Sequence, residues 1–121
     1  MTSKTLALLL LGLVVPAVSS AQALKAGTWT GTVYPPEGDS ASVTYDVTVN
    51  GDSLGIVIHA GEHGDFTAEL GHYADKTISF TFTPGIGFHC KLTRNDAGDY
   101  AGSCFGDDGA EAQMTMVPPK G

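Results

Sequence analysis

Apolar and polar side chains alternate along most of the chain after residue 26, which is the pattern of β-strands that bury one face. The clearest example covers residues 42–50, where four apolar side chains alternate with polar ones. No helical periodicity follows the N-terminal segment. The pattern predicts eight strands, at residues 27–34, 42–50, 53–59, 65–73, 77–83, 88–95, 99–105 and 110–117.

Short turn sequences separate the predicted strands. Asn50-Gly51 is a strong hairpin signal because both residues tolerate positive φ, and Asp96-Ala97-Gly98 is typical of a three-residue hairpin loop. Strands joined in this way predict an antiparallel meander, and closure into a barrel removes its exposed edges. The predicted fold is therefore all-β, an eight-stranded antiparallel up-and-down barrel. A two-sheet β-sandwich is the alternative.

The alternation also predicts which side chains face inward. Many of them are large, and the strands are short for a deep cup, so a filled interior is expected rather than a cavity. Trp29, the only tryptophan, is a candidate plug for one end of the core. The predicted inward set is Trp29, Val33, Val43, Tyr45, Val47, Val49, Leu54, Ile56, Ile58, Phe66, Leu70, Ile78, Phe80, Phe82, Phe88, Leu92, Tyr100, Met114 and Met116.

The first 23 residues have the pattern of a cleavable signal peptide. Lys4 precedes an apolar run at residues 6–15, and Ala21-Gln22-Ala23 ends the segment with small residues. The run is too short to span a bilayer, and no cysteine near the cleavage site indicates a lipid anchor. We expect a signal peptide at 1–23, a single barrel domain at 24–121, and a secreted or periplasmic protein without a membrane span.

The charge balance narrows the range of partners. The chain carries 13 acidic and six basic residues, for a net charge of −7. Removal of Lys4 with the signal peptide leaves five basic residues and a net charge of −8. This balance argues against nucleic acid and anionic membranes as partners. It is compatible with a basic or cationic partner.

The two cysteines are predicted to form a disulfide. Cys90 and Cys104 are equally distant from Ala97, so a hairpin centred on Ala97 sets them opposite each other. Opposed strand residues lie within the range that a disulfide spans. An oxidising compartment permits the bond.

The first predicted strand opens with Gly27-Thr28-Trp29-Thr30-Gly31. A short exported chain with this opening and eight strands resembles the calycin group of lipocalins, avidins and small periplasmic metalloprotease inhibitors. These proteins have Gly-x-Trp at the first strand of an eight-stranded barrel, so the resemblance implies that fold. It implies no biotin site, because the polar set that contacts biotin in avidins has no evident counterpart. The inhibitors match in size, export and a single disulfide, but Cys90 and Cys104 lie late in the chain by comparison.

His59-Ala60-Gly61-Glu62-His63 matches the H-x-x-E-H pattern of some zinc proteases. That chemistry requires a helix, whereas this stretch follows a predicted strand and contains glycine. A plain loop histidine pair is expected, with weak metal binding by His59, Glu62, His63 and Asp65 as the alternative. No tight metal site and no cofactor is predicted. Without a nucleophile elbow, phosphate loop or carboxylate dyad, the protein is not expected to be an enzyme.

Two functions from different classes remain. The first is binding of a small apolar molecule in the barrel interior or at its mouth, with Trp29, Tyr45, Phe66, Phe82, Phe88 and Met114 as candidate contacts. The second is interaction with an exported protein, or protease inhibition, through an acidic loop end. In a meander the longer loops share one end, and they carry Glu37, Asp39, Glu62, His63, Asp107 and Asp108. A connected apolar cavity of about 300 Å³ or more favours the first.

Overall fold

The computed structural model describes residues 24–120, so the predicted signal peptide at 1–23 lies outside the described residues. Within this range the one helical segment is a short 3-10 turn at Gly61–His63, and no helix is long and apolar enough to cross a membrane. The strands are β1 (Gly27–Tyr34), β2 (Ala41–Asn50), β3 (Ser53–His59), β4 (Asp65–Thr67), β5 (Glu69–Ala74), β6 (Thr77–Phe82), β7 (Phe88–Arg94), β8 (Tyr100–Gly106) and β9 (Glu111–Met116).

The strands form one closed antiparallel sheet. Each strand pairs with the next along the chain, except that β4 and β5 both pair with β3, and β1 pairs with β9 through Val33 opposite Met114. Strands β4 and β5 together occupy one position, so the nine segments make eight positions around the barrel. The predicted eight-stranded up-and-down barrel is confirmed, and the sandwich alternative is wrong. Closure satisfies the backbone groups that open edges leave unpaired.

The predicted fourth strand is broken, and Leu70 does not face inward as the alternation predicts. Its backbone has a φ of 57°, and the β5–β6 register shifts between Glu69 and His72. An extra residue in one strand reverses the side-chain alternation beyond it. Leu70 is therefore 81% exposed, while Tyr73 packs against the core in its stead.

The β1–β9 seam is held in part by side chains. Thr115 accepts a hydrogen bond at its carbonyl from the Tyr45 hydroxyl at 2.9 Å, and its own hydroxyl oxygen accepts one from the Thr32 amide at 3.0 Å. Gly31 makes this approach possible, because a Cβ there would overlap the Thr115 carbonyl oxygen. Burial of Tyr45 raises the pKa of its phenol above the ordinary value.

The end of the barrel with the tight turns is filled by aromatic side chains. Trp29 is almost fully buried, its ring centroid lies 5.6 Å from that of Tyr100, and its indole N–H donates to the Lys25 carbonyl at 3.0 Å. Tyr100 in turn donates a hydrogen bond to the Tyr73 hydroxyl at 3.3 Å. Trp29 thus plugs this end, as its position in the first strand suggested. We call this the plugged end and the opposite one the loop end.

The β7–β8 hairpin carries the predicted disulfide. Cys90 and Cys104 are direct cross-strand partners, their Cα atoms lie 4.0 Å apart, and both are buried. The turn fixes this register: the Asn95 side chain accepts hydrogen bonds from the Ala97 and Asp99 amides, and Gly98 has a φ of 90°. A residue without a Cβ adopts that conformation at no steric cost. The disulfide prediction is confirmed.

Candidate functional site: a cavity at the loop end

A cavity of about 550 Å³, open to solvent between the loops, lies at the loop end of the barrel. Its walls are mainly apolar and come from most of the strands, whereas the core residues of the plugged half, Trp29 and Tyr100 among them, do not line it. Loop residues extend the walls beyond the strands, so short strands are compatible with a substantial cup. The main apolar wall residues are Val33, Val43, Ile58, Phe66, Phe82, Phe88 and Met114.

The expectation of a filled interior is therefore wrong at the loop-end mouth, whereas the deeper wall residues Ile58, Cys104 and Met114 are almost fully buried. The reason is side-chain size near the mouth. Ala41, Cys104 and Ala112 line the cavity on β2, β8 and β9, and all three side chains are small. Large residues on the remaining strands do not fill the space at the mouth. The interior of an eight-stranded barrel is either just filled by side chains or able to hold one small ligand.

Three phenylalanines form a continuous aromatic wall in the cavity. The rings of Phe82 and Phe88 are stacked, with centroids 5.8 Å apart and planes at 26°. Phe66 meets Phe82 edge-on, with centroids 6.1 Å apart. All three rings line the cavity, and they come from β4, β6 and β7. The wall offers aromatic as well as aliphatic apolar area to a ligand.

The structure separates the predicted interior contacts into two groups. Phe66, Phe82, Phe88 and Met114 line the cavity. Trp29 lies in the plug, and Tyr45 lies against the β1–β9 seam, so neither is among the lining residues. Only the first four are therefore positioned to contact a molecule in the cavity.

The predicted loop residues divide in the same way. Glu37, Asp39 and His63 line the cavity, on the loop that follows β1 and on the 3-10 turn that follows β3. Glu62, Asp107 and Asp108 do not line it. The predicted grouping of the four loops at one end agrees with the structure. Residues of the loops at 35–40, 60–64 and 83–87 line the cavity. The fourth loop lies beside the third, because the Asp107 amide donates a hydrogen bond to the Gly87 carbonyl.

Two of the three loop acids outside the cavity, Asp107 and Asp108, have local partners. Asp107 lies 3.2 Å from His89 Nε2, and Asp108 accepts a hydrogen bond from the Ala110 amide at 2.9 Å within its turn. Both contacts are exposed to solvent. These two contacts help to hold the β8–β9 turn, and neither Asp107 nor Asp108 lines the cavity.

His59 is the centre of a cluster on the outer face of the barrel. Its Nε2 lies 2.8 Å from Asp46 Oδ2 on β2, and its Nδ1 lies 3.0 Å from Asp65 Oδ1 on β4. The hydrogen bonds from the imidazole to Asp46 and Asp65 raise the pKa of His59 above its ordinary value. When both nitrogens carry protons, this one side chain ties three neighbouring strands together beside the cavity rim.

The H-x-x-E-H stretch does not have the geometry of a metalloprotease motif. His59 ends β3 and His63 ends the 3-10 turn, so the two imidazoles do not share a helical face. Within residues 24–120 no group of three or more His, Cys, Asp or Glu side chains is arranged to hold a metal ion. His59 instead directs both ring nitrogens to carboxylates.

Several residues that line the cavity were not predicted from the sequence. Pro35, Pro36, Pro84 and Ala112 line the cavity, and nothing in their local sequence distinguishes them from ordinary turn or strand residues. The Asp46–His59 contact, by contrast, could have been predicted from the sequence. The Asn50-Gly51 hairpin places Thr44 opposite His59, so Asp46 is its diagonal neighbour on the same face.

Comparisons with known proteins support the barrel and no particular family. No protein-family model matches the sequence, and no curated protein matches it. Among solved structures, the chain is similar to a redesigned β-barrel, b11L5F_LGL, with a TM-score of 0.61, 12% identity, and coverage of 78% of this chain and 91% of the other.

Two further designed barrels are similar. A redesigned β-barrel, mFAP1, bound to DFHBI, has a TM-score of 0.60 and 19% identity over 76% of this chain and 93% of its own. A de novo designed fluorescence-activating β-barrel has a TM-score of 0.59 and 14% identity over 85% of this chain and 100% of its own. At these identities the likeness establishes the fold alone.

Proposed function

We propose that this protein is an exported binding module that holds a small, mainly apolar molecule in the loop-end cavity. The observation that carries the proposal is the cavity itself, about 550 Å³ in volume, mainly apolar, and open at the loops. Small-molecule sites in proteins are concave, mainly apolar, and about 300–1,000 Å³ in volume. Burial of apolar ligand surface supplies the affinity, at roughly 25 cal/mol per Å² before the entropic costs of association.

Two lines of comparison support this proposal. The similar barrel mFAP1 is described as bound to DFHBI, so a barrel of this architecture has room for a small molecule. The Gly27-Thr28-Trp29 opening resembles calycins, and we propose kinship with that group on this basis. Export is part of the proposal as well: a buried disulfide between Cys90 and Cys104 is typical of an oxidising compartment.

An interaction with an exported protein through the acidic loop end is the second candidate. It is favoured by Glu62, Asp107 and Asp108, which are exposed at this end and do not line the cavity. Protease inhibition belongs to the same class. Protein interaction and protease inhibition do not require a cavity in the barrel. Because the cavity is present, small-molecule binding is the first candidate.

The first candidate is tested with a neutral apolar probe. Isothermal titration calorimetry with naphthalenemethanol should show saturable one-to-one binding to the intact protein. Ala112→Phe places an aromatic ring in the cavity and should weaken that binding at least about tenfold, since apolar pockets discriminate even one methylene by 10–200-fold. Ala41→Phe fills the rim from another strand and should act in the same direction.

Ala101→Phe is the matched control, because Ala101 is exposed on the outer face of β8. It adds the same side chain without entering the barrel and should leave the affinity unchanged. Thermal melting of each variant establishes that it is folded. The proposal is wrong if the intact protein does not bind the probe, or if folded Ala112→Phe and Ala41→Phe bind it as tightly as Ala101→Phe does.

A further inference from the structure

The charges at the cavity mouth all belong to acids or to histidine. Of the described residues that line the cavity, Glu37, Asp39 and His63 are ionisable, and none is Lys or Arg. The loops at this end, residues 35–40, 60–64, 83–87 and 107–110, contain no basic residue apart from His63. Basic residues lie elsewhere: Lys76 and Arg94 are at the tight turns of the plugged end.

Such a distribution makes the mouth a region of negative potential. Clefts lined by one sign of charge concentrate ions of the other sign, and low-dielectric walls strengthen the effect. The net charge of −7 contributes in the same direction at longer range. An anionic ligand would enter against this field, whereas a cation would be drawn to it.

Within the described residues, the two carboxylates at the mouth have no internal partner. Glu37 and Asp39 form no hydrogen bond or ion pair with any residue in the described range 24–120. Asp65 and Asp107, by contrast, each lie beside a histidine. A ligand cation at the mouth would therefore meet carboxylates without displacing an existing ion pair.

Below the mouth, the aromatic wall suits the same ligand. The faces of Phe66, Phe82 and Phe88 carry negative electrostatic potential, and a cation within about 6 Å of a ring centroid is attracted to it. The rings also pack favourably on an apolar or aromatic ligand body. The carboxylates at the mouth are thus complementary to a positive charge, and the aromatic wall below is complementary to an apolar body.

We propose that the ligand of this cavity is a small organic cation, with an apolar body in the barrel and a protonated amine or quaternary ammonium group at the mouth. Phe66, Phe82 and Phe88 contact the body, and Glu37 and Asp39 select the charge. The inference rests on the proposed function, since it names the ligand class of the same cavity. It disfavours anionic amphiphiles such as carboxylic acids with apolar tails.

Three probes with one apolar body separate the charge preference from cavity binding. Naphthalenemethylamine, naphthalenemethanol and naphthaleneacetic acid are cationic, neutral and anionic at pH 8. Calorimetry at low salt should give the tightest binding for the amine, roughly fivefold tighter than for the alcohol, as expected for two solvent-exposed charge pairs. The acid should bind most weakly, and added salt should reduce the differences.

The double variant Glu37→Gln/Asp39→Asn should abolish the preference for the amine and leave the affinity for the alcohol unchanged. Glu62→Gln/Asp107→Asn is the matched control: it removes the same charge from the same end outside the cavity, and it should retain most of the preference. The inference is overturned if the amine and the alcohol bind the intact protein equally, or if both double variants reduce the preference alike. Binding of the alcohol without a charge preference would leave the proposed function standing, whereas failure of all three probes would refute both.

Discussion

Removal of the Cys90–Cys104 disulfide should lower the free energy of unfolding by about 3 kcal/mol before any packing is lost. The two residues are 14 apart in sequence, and the chain-entropy model assigns roughly this value to a loop of that length. Reduction isolates this effect because both sulfur atoms stay in place. For a domain of about 100 residues, 1 kcal/mol corresponds to about 4–8 °C in melting temperature, so reduction should lower Tm by roughly 12–24 °C.

The double variant Cys90→Ala/Cys104→Ala should cost more than reduction. It also removes two buried sulfur atoms, each comparable to a buried methylene at about 0.8 kcal/mol. Cys104 lines the cavity, so part of the vacated space joins the existing cup. The expected total is about 4–5 kcal/mol, which is a large share of the roughly 5–15 kcal/mol typical of a domain.

Urea and thermal unfolding, followed by circular dichroism, measure these differences in the oxidised protein, the reduced protein and the double variant. The urea m-value should rise when the bond is absent, because the unfolded chain then exposes more surface. The reasoning is refuted if reduction changes the free energy of unfolding by less than about 1 kcal/mol. Two alkylated thiols in unreduced protein treated with iodoacetamide would refute the bond itself.

Three smaller changes test other parts of the structure. Tyr45→Phe should lower the free energy of unfolding by about 1–3 kcal/mol in urea titrations, because the Thr115 carbonyl at the barrel seam loses its buried donor; an unchanged midpoint would contradict this role. The folded-state pKa of His59 is raised, so the protonated imidazole stabilises the folded protein. This stabilisation is present below the unfolded-state pKa of about 6.5 and is lost as pH rises through the folded-state pKa. His59→Gln should therefore destabilise the protein more at pH 6 than at pH 8, and an equal effect at both values would argue against the carboxylate contacts. Lys76→Gly should raise Tm by several degrees, because Lys76 has a φ of 63° and an L-residue in that region costs about 1–2 kcal/mol; a lower Tm would show that the turn is not strained.

The fold could be predicted from the sequence because each of its determinants is local. Alternation placed the strands, Asn50-Gly51 placed a hairpin, and the turn around Ala97 set the register that joins Cys90 to Cys104. Leu70 was placed wrongly for an equally local reason. Its positive φ and the register shift beside it reverse the alternation, and the local signal was the isolated Gly71 inside the predicted strand, a residue that often marks a bulge.

The cavity could not be predicted, because it depends on side chains that are distant in sequence. Whether a barrel interior is filled is decided by the summed volume of residues at one level of all the strands. Ala41, Cys104 and Ala112 leave space near the mouth only because the closed sheet brings their levels on β2, β8 and β9 to the same end of the barrel. Their positions relative to one another follow from the register around the whole barrel, which the separate hairpin signals do not establish.

Native mass spectrometry of the protein purified from its own host tests the central claim most directly. We predict a complex whose mass exceeds that of the chain by one small molecule, and we predict that Ala112→Phe, prepared in the same way, carries none or much less. Ala101→Phe should retain the molecule, because its added ring lies outside the barrel. An unliganded mass for the wild-type protein, together with a co-purifying protein bound equally by both variants, would contradict the claim and favour the acidic loop end as an interaction surface.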